Sequence, residues 1–276
     1  MSRPKPPPLI IEQVNAAVSI STESFFSQPT QTRDSAYELF LQNQIEINQV
    51  ANAQSRPITR SLALLGHFSS VEGFFRKLLC DVIVTDHVSR NKCLLQQGIS
   101  FGAAWAISEN ATEKQSIPEA MLENTTFTSK RNILEALNTF MCIPEGDVTQ
   151  EVKSILDSFE KICHLRHCSV HRFGMLGARN AIALDFDSHS GMIGNSMILS
   201  QQHIEDIATI CSNLVTATNN LAYHVVLGRA KDREQWQGDF LVDRSIFEKY
   251  FLLFASTAQA AQAVTHYDRF KVYHGI

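Results

Sequence analysis

Residues 147–174, DVTQEVKSILDSFEKICHLRHCSVHRFG, decide the fold class of this chain. Val152, Ile155, Phe159, Ile162 and Cys163 recur at the spacing of one helix face, Asp147 is placed to cap the start, and Gly174 is placed to end it. Arg166 continues that apolar face, and the last turns add His164, His167, Cys168 and His171. An arginine offers a fixed fork of donors to a phosphate, and a histidine titrates near neutral pH and can take or return a proton. Arg166 and His171 together are therefore groups that can cleave RNA without a metal.

Outward from this helix, the same periodicity predicts a mainly α chain. A helix is expected over 34–53, and a stronger one over 58–88, where Leu65, Phe68, Phe75, Leu79 and Val82 form a stripe. Glu72 falls inside that stripe and calls for a partner, either Arg166 or a motif histidine, or for a kink that lets it reach water. Short helices are expected near 94–108 and 130–141, with breaks at Pro118 and Pro144. Beyond Gly174, Ile182, Leu184 and Phe186 alternate, Ser188–Gly191 offers a turn, and Met192–Leu199 reads as a returning strand, which together predict a small β-hairpin. Ser200 opens a long helix to about Gly228, with Ile204, Ile207, Ile210, Leu214 and Leu221 inward, and a last helix is expected over roughly 244–266.

The 276 residues, 44% of them apolar, suit one large domain with appendages. Four prolines in the first eight residues, and Ser/Thr/Gln/Pro-rich sequence to about Thr32, mark a loose arm. The expected division is 1–57 as arm and helix, 58–228 as core, and 229–276 as a C-terminal helical extension. A net charge of -4 excludes a protein that coats nucleic acid electrostatically, so any RNA contact is local. Six scattered cysteines without a C-x-x-C pair, and no leader pattern, predict reduced thiols in a cytoplasm. The uncharged stretch Tyr250–Tyr267 is interrupted by polar residues and is not expected to span a membrane.

Arg166, the polar His167, the spacer Cys168-Ser169-Val170 and His171 form an R-x4-H motif with Arg172-Phe173-Gly174 behind it. Ser70-Val71-Glu72-Gly73-Phe74-Phe75 supplies an acidic residue on an early long helix. In these features residues 58–228 resemble the HEPN (higher eukaryotes and prokaryotes nucleotide-binding) family. The resemblance implies a HEPN-like helical bundle and a metal-independent endoribonuclease that needs no cofactor. It further implies a composite site in a homodimer, with Arg166 and His171 catalytic and His167 and Glu72 as supporting site residues. It implies too a toxin or defence effector restrained by an antitoxin, a sensor protein or a ligand. Five residues of ideal helix leave Arg166 and His171 about 140° apart around the axis, an offset that a crossing of two such helices would close.

Arg60/His67 and Arg269/His274 have similar spacing, but neither pair is followed by a helix stop. Two other chemistries use the motif residues. His164, His167, Cys168 and His171 stand at i, i+3, i+4 and i+7, a set that Zn2+ accepts, although a straight helix rarely brings more than two or three of them to one ion. A helical module that binds RNA or a nucleotide without cutting, or that serves as a dimerisation scaffold, is the third.

Overall fold

Asp34 to Ile276 form one compact unit and Met1 to Arg33 another. The computed structural model describes residues 11–12, 19–26, 34–53, 56–94 and 116–276. Among them the first unit contributes a single 3-10 turn, Thr22–Phe25, in which Ser24 Oγ donates to the Ser21 carbonyl at 2.8 Å. The second unit is mainly helical, with no strand among the described residues. Its helices are α1 (Ala36–Ala53), α2 (Pro57–Thr85), α3 (His87–Leu94), α4 (Ser116–Leu122), α5 (Lys130–Met141) and α6 (Gln150–Arg172). They continue with α7 (Ala178–His189), α8 (Gln201–Arg233), α9 (Phe240–Phe251), α10 (Thr257–Ala260) and α11 (Ala263–His274).

Helix α2 is the axis of this unit. Its apolar residues extend beyond the expected stripe to Leu64, Val71, Phe74 and Leu78, all buried, because α1, α6 and α8 each cover part of it. Phe68 stacks on Phe159 of α6 with centroids 5.6 Å apart, and Phe75 stacks on Phe127 at 5.3 Å. Such ring pairs add about 0.5–1.5 kcal/mol each beyond their buried area. Phe40 of α1 meets Phe74 edge-on at 6.3 Å, which ties the first helix to the core. Between the same two helices His67, fully buried, engages Gln44 Oε1 through Nδ1 at 2.8 Å, and Gln44 Nε2 donates to Ser70 Oγ at 2.7 Å. His67 Nε2 has no hydrogen-bond partner among the described residues.

Several expectations are corrected. The helix expected over 58–88 is two helices, since Asp86 is extended (φ -84°, ψ 120°) and its carboxylate caps α3 through Ser89 N at 3.1 Å and Ser89 Oγ at 2.8 Å. The hairpin is not formed. Residues 178–189 are helical, with Asn180 and Ala181 buried and a non-helical Asp185 (φ 105°) where the alternation was strongest. Ile182 and Phe186 are also i and i+4, so the spacing read as a strand serves a helix equally well. The returning segment pairs instead with residues after α6, as one antiparallel bridge between Met175 and Ser196.

Thr149 caps α6 in place of Asp147, accepting from Val152 N at 3.3 Å, while Asp147 ends the 3-10 turn Glu145–Asp147. The boundary drawn at 228/229 lies inside α8, which runs unbroken to Arg233. The single last helix becomes α9, α10 and α11, interrupted at Leu252–Ser256. Apart from Leu94 itself, the short helix expected near 94–108 lies outside the described residues. Among the described residues no helix is long and apolar enough to cross a membrane.

Arg229 of α8 closes the bundle at one end. Its Nη1 lies 2.7 Å from Asp86 Oδ2, and its Nη2 donates to the carbonyls of Met141 and Cys142 at 2.7 and 3.2 Å. Asp86 is nearly sealed from solvent, while the Arg229 side chain keeps 17% of its surface exposed. Arg229→Met, which strands the Asp86 charge, should cost about 3–5 kcal/mol in urea unfolding. Adding Asp86→Asn should restore part of the loss, because an asparagine still caps α3 without carrying a charge. Burial holds His67 down to about 4, so between that value and the usual ~6.5 the unfolded chain binds a proton that the folded one does not. Stability is therefore lost as pH falls through this window. Wild type should lose roughly 2 kcal/mol more than His67→Leu between pH 7.5 and 5.0 in urea titrations.

Candidate functional site

Helix α6 ends at Arg172 because Phe173 turns into the left-handed region (φ 50°) and Gly174 follows at φ 88°. The amides of both residues return to the Cys168 carbonyl. The chain then pairs briefly with 194–197: Leu176 N donates to Asn195 O at 3.0 Å, and Met197 N donates to Gly174 O at 2.8 Å. Gly177 precedes α7, and the flexible Arg172 side chain lies across the place a Cβ would take. This tight return brings the first turn of α7 back onto α6.

Asn180 is the result of that return. It is buried, and its side-chain amide reaches three residues of α6: Oδ1 is 3.4 Å from His164 Nδ1, while Nδ2 is 3.1 Å from both His167 Nδ1 and Cys168 Sγ. With Nδ2 as donor, His167 Nδ1 must accept, which places the proton of the neutral imidazole on Nε2. Burial holds His167 below the usual histidine range, and the positive charges of His171, Arg179, Arg166 and His164 add to the effect. The His171 ring lies 4.6 Å from that of His167 at 46°, on the exposed final turn.

The structure thus joins His167 to His171, but it sends Arg166 the other way. The Arg166 guanidinium sits 5.2 Å from the centroid of the Phe68 ring and is half-buried there. Arg166 and His171 diverge around the axis as the helical offset requires. Glu72 is half-buried on α2, one turn beyond Phe68, and among the described residues it has no ion pair or hydrogen bond. Arg172 and Arg179 are exposed beside the histidines. The sequence reading misses Asn180 and Arg179 because they precede the strand expected at Ile182–Phe186 and belong to no expected element. The signal available was a polar pair directly after Gly177-Ala178, at the start of what is a helix.

His164, His167 and Cys168 converge on an amide rather than on a common point. Among the described residues no three His, Cys, Asp or Glu side chains could hold a metal ion. The elements around the motif also carry apolar side chains into solvent: Phe173 is 85% exposed and Ile198 82%, with Val170, Ile182, Phe186 and Met192 exposed as well. Of the other two Arg/His pairs, Arg60 donates to the Leu199 carbonyl at 3.1 Å and His67 is the buried histidine of α2. Arg269 and His274 line a cavity beside α11, and contrary to expectation this pair is followed by a helix stop, since Gly275 ends α11 in the left-handed region (φ 66°).

No protein-family model, no curated protein and no solved structure matches this chain.

Proposed function

We propose that the chain is a metal-independent endoribonuclease of the HEPN kind, acting at the C-terminal end of α6. The observation that supports it most is the pair of contacting imidazoles, His167 and His171, one held by Asn180 and the other open to solvent, with arginines around them. His171 removes the proton of a ribose 2'-hydroxyl, and that oxygen attacks the adjacent phosphorus. The His171 of a second copy gives a proton to the departing 5'-oxygen. His167, neutral and protonated on Nε2, donates to a non-bridging oxygen, and Arg166 bears on the same developing charge. Glu72, which has no ion pair among the described residues, is the carboxylate available on α2 to orient Arg166 once the arginine leaves Phe68. The products are a 2',3'-cyclic phosphate and a 5'-hydroxyl, and DNA is inert because it lacks the nucleophile.

The second copy has a surface available. Val170, Phe173, Ile182, Phe186 and Ile198 leave solvent if two α6 ends meet, and apolar groups gathered at a surface mark sites of association. A homodimer would also bring together the two histidines that the chemistry requires. A nuclease that cuts cellular RNA must be restrained, so the reading includes a toxin or defence role in the cytoplasm and a regulatory partner. A second reading, a HEPN-like module that binds RNA or a nucleotide without cutting or serves for dimerisation, is favoured by one observation: Arg166 is spent on Phe68 instead of facing His171.

Purified protein should cut labelled RNA in excess EDTA and leave cyclic phosphate ends, with Arg166→Ala and His171→Ala each slower by roughly 100-fold or more. Binding without cleavage would establish the second reading, and undiminished cutting by both variants would place the site elsewhere. In an NMR titration His167 should lose its proton below the ordinary ~6.5, and His171→Ala should raise its midpoint by removing a neighbouring positive charge. Cells producing the wild-type chain without a partner should grow more slowly than cells producing His171→Ala; equal growth would count against a toxin.

A further inference from the structure

A cavity of about 360 Å³ lies between α8 and α11, away from the α6 histidines. Its apolar lining is Tyr223, Leu227 and Phe270, and the rest is His224, His266, Arg269, Tyr273 and His274. The aromatic groups hold one another edge-on: His224 meets Tyr273 at 5.5 Å and 83°, and Tyr273 meets His274 at 4.9 Å and 79°. Phe270 also contacts His274 at 4.9 Å. Rings fixed at steep angles leave faces and edges free for a further flat group.

The charge in this cavity is one-sided. No carboxylate lines it, and Arg269, exposed at its edge, has no ion pair or hydrogen bond among the described residues. Arg269 lowers the titration of His266, and Lys231 and His224 lower that of His274, each after the larger effect of burial. Asp232, which acts on His274 in the opposite sense, is itself paired with Lys231 at 3.2 Å. An unpaired guanidinium beside imidazoles presents donors suited to a phosphate or carboxylate.

We propose that this cavity binds a small anion that carries a flat ring, with Arg269 and His224 taking the anionic group and Tyr223, Phe270 and Tyr273 contacting the ring. The volume is at the lower end of that of drug-sized ligand sites, which suits a nucleoside monophosphate better than a single-ring carboxylate. Ring stacking and a charge-assisted clamp act on different parts of such a ligand, so neither half alone binds as well as the whole. The site is independent of the ribonuclease reading, since it shares no residue with the end of α6.

Isothermal titration of the full chain with 5'-AMP, adenosine, inorganic phosphate and salicylate tests this. One 5'-AMP per chain is expected, with adenosine and phosphate each weaker by roughly tenfold or more. Arg269→Leu and Tyr273→Ala, both at exposed positions and expected to fold, should each weaken 5'-AMP by roughly tenfold or more, while His171→Ala leaves it unchanged. Salicylate binding more tightly than 5'-AMP, and lost in the same two variants, would support the site with an aromatic carboxylate as its ligand. No saturation by either compound at ~10 mM, far weaker than specific small-molecule sites require, would overturn the proposal, as would equal affinity in wild type and Arg269→Leu.

Discussion

Arg229 and Asp86 form the interaction on which the bundle depends. One guanidinium, supplied by α8, neutralises the carboxylate that separates α2 from α3 and also satisfies the last carbonyls of α5. A buried ion pair is weak evidence of stability in itself, since desolvation consumes most of its attraction. Its value here is geometric. Four helices that could slide along one another through apolar contacts alone are held at one register by groups that cannot be left unpaired. The place of α6 against α2 is held by a separate contact, the stacked rings of Phe68 and Phe159.

The end of α6 shows the same logic on a smaller scale. A single buried amide, Asn180, decides the tautomer of His167 and occupies His164 and Cys168. The four-residue pattern that reads as a metal-binding face is thereby divided: three residues meet the amide, Cys168 among them buried, and His171 alone is left exposed. The Arg166 side chain, extended over an aromatic face, has a desolvated resting place that competes with any phosphate it would bind.

Much of the helical framework was legible in the sequence. α5 occupies 130–141, as expected, and the buried faces of α6 and α8 contain most of the residues picked out by periodicity, because long amphipathic stripes with capping residues admit few alternatives. The residues that failed were those with two valid readings. Ile182 and Phe186 fit an alternating strand and one helical turn alike, and only the packing of Asn180 and Ala181 on α6 decides between them. Asp86 looked like one more polar residue in a long helix until its partner on α8, 143 residues away, was in place. The motif spacing was readable, and so was the angular separation of Arg166 from His171. Their environments were not, since an aromatic ring on α2 and an amide on α7 are contributed by distant sequence.

Phe173 carries a last consequence. A residue with a Cβ in the left-handed region forfeits roughly 1–2 kcal/mol, and glycine would take that position freely. Gly174 stands beside it, so the chain had a glycine at hand and did not use it one residue earlier. Phe173 gains almost no burial in exchange, being 85% exposed. The C-terminal corner of α6 therefore costs the folded chain stability that a glycine would have kept, as does the left-handed Cys142 that ends α5.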